Sequence, residues 1–360
     1  MQAATRHYAV ITAGYWGFTL TDGAIRMLVV LYFHQLGYSP FEVAMLFLFY
    51  EFFGVVTNLV GGWLGARIGL NLTMHIGMAL QIVALLMLTA PDAWLSVPWV
   101  MAAQALSGIA KDLNKMSAKA SVKAITAWLL PAGVGRMRSK PRFTQVFSRV
   151  AAVNWLSAAR FLLFGARDVW FVVALPVFLY DRLGWDFWQV GSFLALWVIG
   201  YGLVQATTPG LLRGRRRLPG GRTALYWVAT LALVPTGMAL ALDQGLPPHV
   251  VLIGGLTLFG LVFAVNSAVH SYLILAYSEQ DDVALRVGFY YMANAGGRLA
   301  GTVLSGLIYQ QQGIEGCLWW SAGMLAGAAL LSLPLPQPAS PTPRHPAGAP
   351  MSDNSQITER

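Results

Sequence analysis

The most regular feature of the sequence is a series of ten apolar runs separated by short polar segments. A helix needs about 20 apolar residues to cross the hydrocarbon core of a bilayer. The runs lie at residues 8–33, 41–64, 72–90, 97–117, 154–180, 187–209, 223–242, 249–277, 287–309 and 317–334. Four of them, at 72–90, 187–209, 223–242 and 317–334, contain no Asp, Glu, Lys or Arg. The pattern therefore predicts an all-α membrane protein with about ten transmembrane helices.

Composition supports a membrane protein, because 56% of the residues are hydrophobic and only 11% are charged. Soluble proteins carry about 25% charged residues. The one cysteine, Cys317, excludes disulfide scaffolds, thiolate metal clusters and CxxC redox pairs. His34, His75, His249 and His270 lie on different segments without metal-ligand spacing, and we interpret them as interfacial or packed histidines. We expect neither a metal nor a cofactor.

The net charge of +9 is explained by the connections between the apolar runs. Alternate connections hold Arg6, Arg67, the basic residues from Lys119 to Arg149, the arginines from Arg213 to Arg222, and Arg286. The other set of connections holds Arg182 alone. Because Lys and Arg accumulate on the cytoplasmic side, both termini are predicted to be cytoplasmic. The expected partners of these basic loops are anionic lipid headgroups, and nucleic acid is not expected.

Two external turns indicate an internal repeat. Leu36–Val43 and Leu183–Val190 each open with Leu-Gly and lead into a helix, at an offset of 147 residues. Parallel repeats of this kind occur in transporters. The halves are unequal, since four spans precede residue 153 and six follow it. We interpret the chain as a six-plus-six design that lacks two helices of its first half.

The predicted organisation has four parts. They are an N-terminal half of four spans at 1–122, a basic cytoplasmic linker at 123–153, a C-terminal half of six spans at 154–335 and a disordered tail at 336–360.

Charged residues inside the predicted spans are the candidate functional residues, because each costs about 2.5 to 3.5 kcal/mol at a helix centre unless it is paired or meets water. The cations are Arg26, Lys111, Lys115, Arg160, Arg167 and Arg298. The carboxylates are Asp22, Glu51, Asp112 and Asp168. The excess of positive charge suits an anion of charge two or more, and Arg binds the oxygens of such anions in pairs.

Individual positions suggest different roles for these charges. Arg298 is the sole charge of its span and is expected to bind the anion near the midplane. Glu51 is either a partner for an arginine on another helix or a proton carrier. Asp22 and Arg26 stand four residues apart and could pair within their helix. The carboxylates are assigned to coupling or charge pairing, and the cations to substrate binding.

The loop after the second span resembles the signature of the major facilitator superfamily, Gly-x-Leu-Ala-Asp-Arg-x-Gly-Arg-Arg/Lys. Here residues 62–71 read GWLGARIGLN, which keeps the flanking glycines and Arg67. Ala66 replaces the Asp, and Leu70 and Asn71 replace the trailing cations. The resemblance implies a major facilitator-like helical bundle.

Longer stretches are similar to the ArsJ-type organoarsenical efflux permeases of that superfamily. They are Tyr15 to Leu31, Phe47 to Leu70, Ser107 to Lys119 and Ala158 to Val172. This resemblance implies export of 1-arseno-3-phosphoglycerate across the bacterial cytoplasmic membrane and resistance to arsenate. It also implies a functional link to glyceraldehyde-3-phosphate dehydrogenase, which makes that compound when arsenate replaces phosphate.

Several alternatives stay open at this point. No phosphate-binding loop of an ATPase occurs, which favours a secondary carrier. Thiol-bound arsenite is a poor substrate candidate, because one cysteine cannot supply several soft ligands. The rivals are an exporter of another phosphorylated or carboxylated anion, a truncated membrane protein that transports nothing, and a membrane enzyme acting on lipid headgroups. No catalytic constellation supports an enzyme, so none is predicted.

Overall fold

The computed structural model describes most of the chain, and the described residues form helices and no strands. They are residues 26–27, 29–68, 70–91, 94, 96–126, 148–213, 219–278 and 283–337.

The first half begins with a helical segment, α1, described at residues 26–27 and 29–35. The helices that follow are α2 at Pro40–Leu46, α3 at Leu48–Ile68, α4 at Leu70–Leu88 and α5 at Val97–Thr126. A break at Phe47 separates α2 from α3, so the second predicted span consists of two helical pieces.

The second half begins at residue 151. Its helices are α6 at Ala151–Phe171, α7 at Ala174–Asp181, α8 at Phe187–Arg213, α9 at Gly221–Asp243, α10 at Pro248–Ala276 and α11 at Val283–Ser332. Gly313 interrupts α11 with a φ of +70°, so this element contains two of the predicted spans. The apolar runs of the sequence therefore correspond to helices throughout the described residues.

Six helical stretches of the described residues are long and apolar enough to cross a membrane. They are Pro40–Gly61, Ala151–Asp181, Phe187–Thr208, Gly221–Asp243, Pro248–Ala276 and Leu285–Ser332. Among the other predicted spans, Leu72–Leu88 is shorter, α5 is lysine-rich at its end, and residues 8–33 lie mostly outside the described residues. The count of ten stays a prediction.

The two Leu-Gly turns have the same local structure. Gly37 and Gly184 both adopt a left-handed φ, of +89° and +66°, which glycine tolerates without steric cost. The helix after each turn begins with reciprocal hydrogen bonds between its cap residue and the residue three positions later. Ser39 pairs in this way with Glu42, and Asp186 pairs with Gln189. The repeat in the sequence is therefore a repeat in the backbone.

Helix α11 packs against α6, α3, α9 and α2, and it thereby contacts both halves. Glycines allow its closest approach, which is to α6. A Cβ atom at Gly297 would collide with the carbonyl group of Phe161, and one at Gly301 would lie 2.7 Å from the carbonyl oxygen of Gly165. The crossing of α6 and α11 is consequently a contact between two backbones.

Large apolar side chains cover the outside of the bundle. Trp188, Leu196 and Leu233 are 77%, 69% and 70% exposed, respectively. Apolar exposure on this scale is the surface expected of helices that face lipid.

Candidate functional site

Five charged side chains form a continuous chain of ion pairs inside the bundle. The Nη2 atom of Arg298 lies 2.6 Å from Oε1 of Glu51, and its Nε lies 3.2 Å from Oδ2 of Asp168. Arg26 reaches the same Glu51 oxygen at 3.4 Å, and Arg167 donates to Oδ1 of Asp168 at 2.6 Å. Cations and carboxylates therefore alternate from Arg26 to Arg167, and we call these five residues the charge chain.

The charge chain joins the two halves of the bundle. Arg26 and Glu51 belong to α1 and α3, whereas Arg167, Asp168 and Arg298 belong to α6 and α11. Glu51 and Asp168 are 1% and 0% exposed. Removing one partner from a buried ion pair costs about 3 to 5 kcal/mol, because the other charge remains buried without compensation. Removal of either Arg298 or Glu51 is therefore expected to destabilise the interface between the halves.

The glycines of α11 explain how Arg298 reaches Asp168. Gly297 and Gly301 flank Arg298 on the side of α11 that lies against α6, and a Cβ atom at Gly301 would lie 2.9 Å from the Cβ atom of Asp168. Larger residues would separate the helices and lengthen the 3.2 Å contact. The glycine-rich run therefore positions the arginine.

Lys111, Asp112 and Lys115 lie beside the charge chain, on α5. The Nζ atom of Lys111 stands 3.8 Å from the centroid of the Tyr50 ring, a cation–π contact. Lys115 lies 3.7 Å from Oδ1 of Asp112 and 4.6 Å from the centroid of the Tyr291 ring on α11. These residues are therefore part of the same interface between the halves.

Arg160 differs from the other buried arginines, because no carboxylate of the described residues lies within ion-pair distance of it. Its Nε donates to Oδ1 of Asn294 at 3.0 Å, and its Nη1 donates to Oγ of Ser267 at 3.2 Å. The guanidinium carbon lies 4.0 Å from the centroid of the Phe164 ring. Arg160 is 2% exposed. It is a buried positive charge that is held by neutral groups.

Neutral polar residues near Arg160 belong to the site, although the sequence analysis did not select them. Gln205 on α8 donates to Oγ of Ser267 at 3.2 Å, so this hydroxyl receives two donors. Asn266 and His270 flank Ser267 on α10, and both are 0% exposed. Within the part of the chain that the structure describes, neither amide atom of Asn266 and neither ring nitrogen of His270 has a hydrogen-bond partner. Each such buried group costs about 1 to 3 kcal/mol.

The structure changes the interpretation of Arg298 and leaves parts of the predicted site open. Arg298 is the sole charge of its span, but it is not isolated, because helix packing places carboxylates from α3 and α6 on both sides of it. Asp22 lies outside the described residues, and so does any pair that it forms with Arg26. His270 is packed as expected, but it lies in a polar cluster. Within the described residues, no group of three metal-ligating side chains occurs.

The comparisons with known sequences identify one family. A model described as the Major Facilitator Superfamily matches residues 156–357, which is more than half of the chain. No curated protein matches the sequence.

Several solved structures share the fold. The human organic anion transporter MFSD10 (TETRAN) superposes with a TM-score of 0.61 at 17% identity, covering 90% of this chain and 98% of that one. A bacterial homologue of the iron transporter ferroportin, in its outward-facing state, gives 0.62 at 14% identity, covering 90% and 98%. A D-xylose-proton symporter gives 0.62 at 12% identity, covering 93% and 98%. The TM-scores show that these proteins share a helical bundle with this chain. Identities this low do not show which substrate the chain carries.

Proposed function

Because the chain belongs to the major facilitator superfamily, it is a multi-pass secondary transporter and not an enzyme, and we propose that it exports an organic oxyanion. The specific substrate in this proposal is 1-arseno-3-phosphoglycerate, and the physiological result is resistance to arsenate. The proposed location is the bacterial cytoplasmic membrane, with both termini in the cytoplasm.

The excess of positive charge inside the bundle is the observation that carries the proposal. Among the described residues, the interface between the halves and the adjacent core hold six cations and three carboxylates. The cations are Arg26, Lys111, Lys115, Arg160, Arg167 and Arg298, and the carboxylates are Glu51, Asp112 and Asp168. A bound oxyanion supplies the missing negative charge, and guanidinium groups bind it with paired hydrogen bonds.

The charge chain suggests how binding is linked to movement. An oxyanion that takes over the donors of Arg298 displaces Glu51, and the link between the halves is then broken. Glu51 then has no partner on α11 and keeps Arg26 of its own half, which lies 3.4 Å away. Anion binding by Arg298 and separation of the halves therefore support each other in this mechanism.

The resemblance to the ArsJ-type permeases supports the arsenical as substrate within the class of organic oxyanions. On this proposal, glyceraldehyde-3-phosphate dehydrogenase supplies the compound by using arsenate in place of phosphate. The two proteins are then functional partners, with no requirement that they bind each other. The rival within the class is another phosphorylated or carboxylated anion.

The test is growth of an arsenate-sensitive bacterium that expresses this chain with or without the dehydrogenase. We expect protection against arsenate only when both are present, with no change in sensitivity to arsenite. Protection against arsenite alone contradicts the proposal. Export of phosphorylated compounds without arsenate protection supports the rival.

An Arg160→Gln variant links the result to the site, because it removes the buried charge that lacks a carboxylate. We expect it to lose protection at normal expression. The matched control is Arg182→Gln at the exposed end of α7, where the loss of a charge leaves the interior unchanged.

A further inference from the structure

We infer that Asn266 and His270 form a subsite beside Arg160 that recognises a hydroxyl group next to the oxyanion of the substrate. The inference rests on the proposed export of an organic oxyanion, and it adds a second chemical requirement to that substrate.

The geometry of α10 places these residues on one face. Successive residues of a helix are about 100° apart, so His270 lies between Asn266 and Ser267 when the helix is viewed down its axis. Ser267 contacts Arg160 through its hydroxyl at 3.2 Å and through its carbonyl oxygen at 3.4 Å. The face that carries Asn266 and His270 is therefore the face beside Arg160.

Some polar groups on this face of α10 have hydrogen-bond partners, and others have none among the described residues. Ser267 accepts from Arg160 and from Gln205, and its carbonyl oxygen also accepts from the hydroxyl of Ser271 at 2.8 Å. Among the described residues, Asn266 and His270 have no hydrogen-bond partner for any side-chain nitrogen or oxygen, although both are fully buried. Ser267 holds Arg160 in place, and the unsatisfied groups beside it remain for a ligand.

The unsatisfied groups specify the chemistry of that ligand. A fully ionised phosphate or carboxylate contains only acceptors, so it satisfies Arg160 and the amide nitrogen of Asn266. The amide oxygen of Asn266 needs a donor hydrogen, and a neutral imidazole at His270 offers one donor and one acceptor. A hydroxyl group supplies both a donor and an acceptor. Arg160, Asn266 and His270 together therefore match an oxyanion that carries a hydroxyl group on a neighbouring carbon.

Ligand binding to the purified full-length chain tests the inference with two stable probes. 3-Phosphoglycerate carries a hydroxyl beside its carboxylate, and 3-phosphooxypropanoate has the same charged groups and lacks the hydroxyl. We expect the protein to bind 3-phosphoglycerate about tenfold more tightly, which is the effect of one good hydrogen bond. Equal affinity for the two probes overturns the subsite and leaves the proposed function intact. Failure to bind either probe overturns the subsite, and the growth assay then tests the proposed function separately.

Variants of Asn266 and His270 test whether these residues cause the difference in affinity between the two probes. Asn266→Leu and His270→Phe replace the polar groups with apolar side chains of similar size, and we expect each to bring the affinity ratio close to one by weakening the binding of 3-phosphoglycerate alone. The controls Thr257→Val and His249→Phe change exposed positions of α10, and they should keep the ratio. Variants that weaken both probes equally contradict the assignment. If a variant does not fold, the affinity ratio measured on the unmodified protein still tests whether the subsite exists.

Discussion

The side chains of His34 and Asp181 meet at the predicted external end of the bundle, and these residues are 147 positions apart in the chain. The Nε2 atom of His34 lies 3.0 Å from both carboxylate oxygens of Asp181. The same offset of 147 relates the two Leu-Gly turns. The pair therefore joins equivalent positions of the two halves, as a contact close to a pseudo-twofold axis requires. It helps to close the predicted external end.

We expect Asp181→Asn to loosen that closure. The carboxylate is 42% exposed, so the pair contributes about 1 kcal/mol or less. The open population should accordingly rise by up to about fivefold. The single thiol, on buried Cys317 of α11, reports this change through its rate of labelling by an externally added maleimide.

The control for this measurement is Asp243→Asn at the exposed end of α9, which should leave the labelling rate unchanged. His34→Gln should act like Asp181→Asn, and the double variant should add little, because both changes remove one interaction. Labelling at the unmodified rate in all three variants shows that the pair does not contribute to closure.

Arg298→Lys should reduce transport by tenfold or more, on the order of a lost charged hydrogen bond, while membrane insertion stays normal. A lysine keeps the charge but has one nitrogen, so it cannot bond Glu51 and Asp168 in the fork that Arg298 uses. The measurement is uptake of the proposed anion into inverted vesicles, normalised to protein amount.

Two further variants are the controls for the Arg298→Lys transport measurement. Arg222→Lys at the start of α9 has no part in the charge chain and should transport normally. Arg298→Ala should be worse than Arg298→Lys, because it leaves both carboxylates buried without a cation. Transport at the unmodified rate by Arg298→Ala excludes a role for this residue in the anion cycle.

Gly297→Ala should lower the stability of the bundle by about 1 to 3 kcal/mol or more, the cost of overpacking. The added Cβ atom collides with the carbonyl group of Phe161 and pushes α11 away from α6. Thermal unfolding in detergent measures the effect. Gly254→Ala is the matched control, since nothing lies within 4 Å of its Cβ position. This control should be neutral or slightly stabilising.

Insertion of a two-helix segment between about Val122 and Gly135 should raise both detergent thermostability and arsenate protection. The reason is that, on the interpretation that the first half lacks two helices, some of its faces expose polar groups to lipid at a cost of several kcal/mol, on the order of the insertion penalty for a charge. If the unmodified chain already matches the extended one in both assays as a monomer, the first half is complete with four helices.

The sequence predicted the helices well, because an apolar run long enough to cross a bilayer is stable in lipid as a helix, where its backbone groups bond to each other. It also predicted the turn repeat, since Gly37 and Gly184 and the cap residues after them act locally. The break at Phe47 and the division of a span into α6 and α7 were not predicted. They depend on tertiary packing, and the apolar composition continues through both.

The charges of the site were predicted, and pairing with an arginine of another helix was one of two roles given to Glu51, but the identity of that arginine was not predicted. A buried Arg298 or Glu51 is recognisable from its span, whereas the contact between them depends on how α3 and α11 are rotated. Asn266 and His270 were missed because neutral polar residues barely change the hydropathy of a helix. Their signal was the spacing of Asn266, Ser267, His270 and Ser271, which places four polar side chains on one side of an apolar helix.

The backbone contact between α6 and α11 has a mechanical consequence. Carbonyl groups that touch glycines leave no room for side chains between the two helices, so we expect α6 and the first part of α11 to move as one unit. Arg298 and Asp168 then travel together. Of the four ion pairs in the charge chain, Arg298–Glu51 is the one that stretches when the halves separate, so opening the interface breaks this pair.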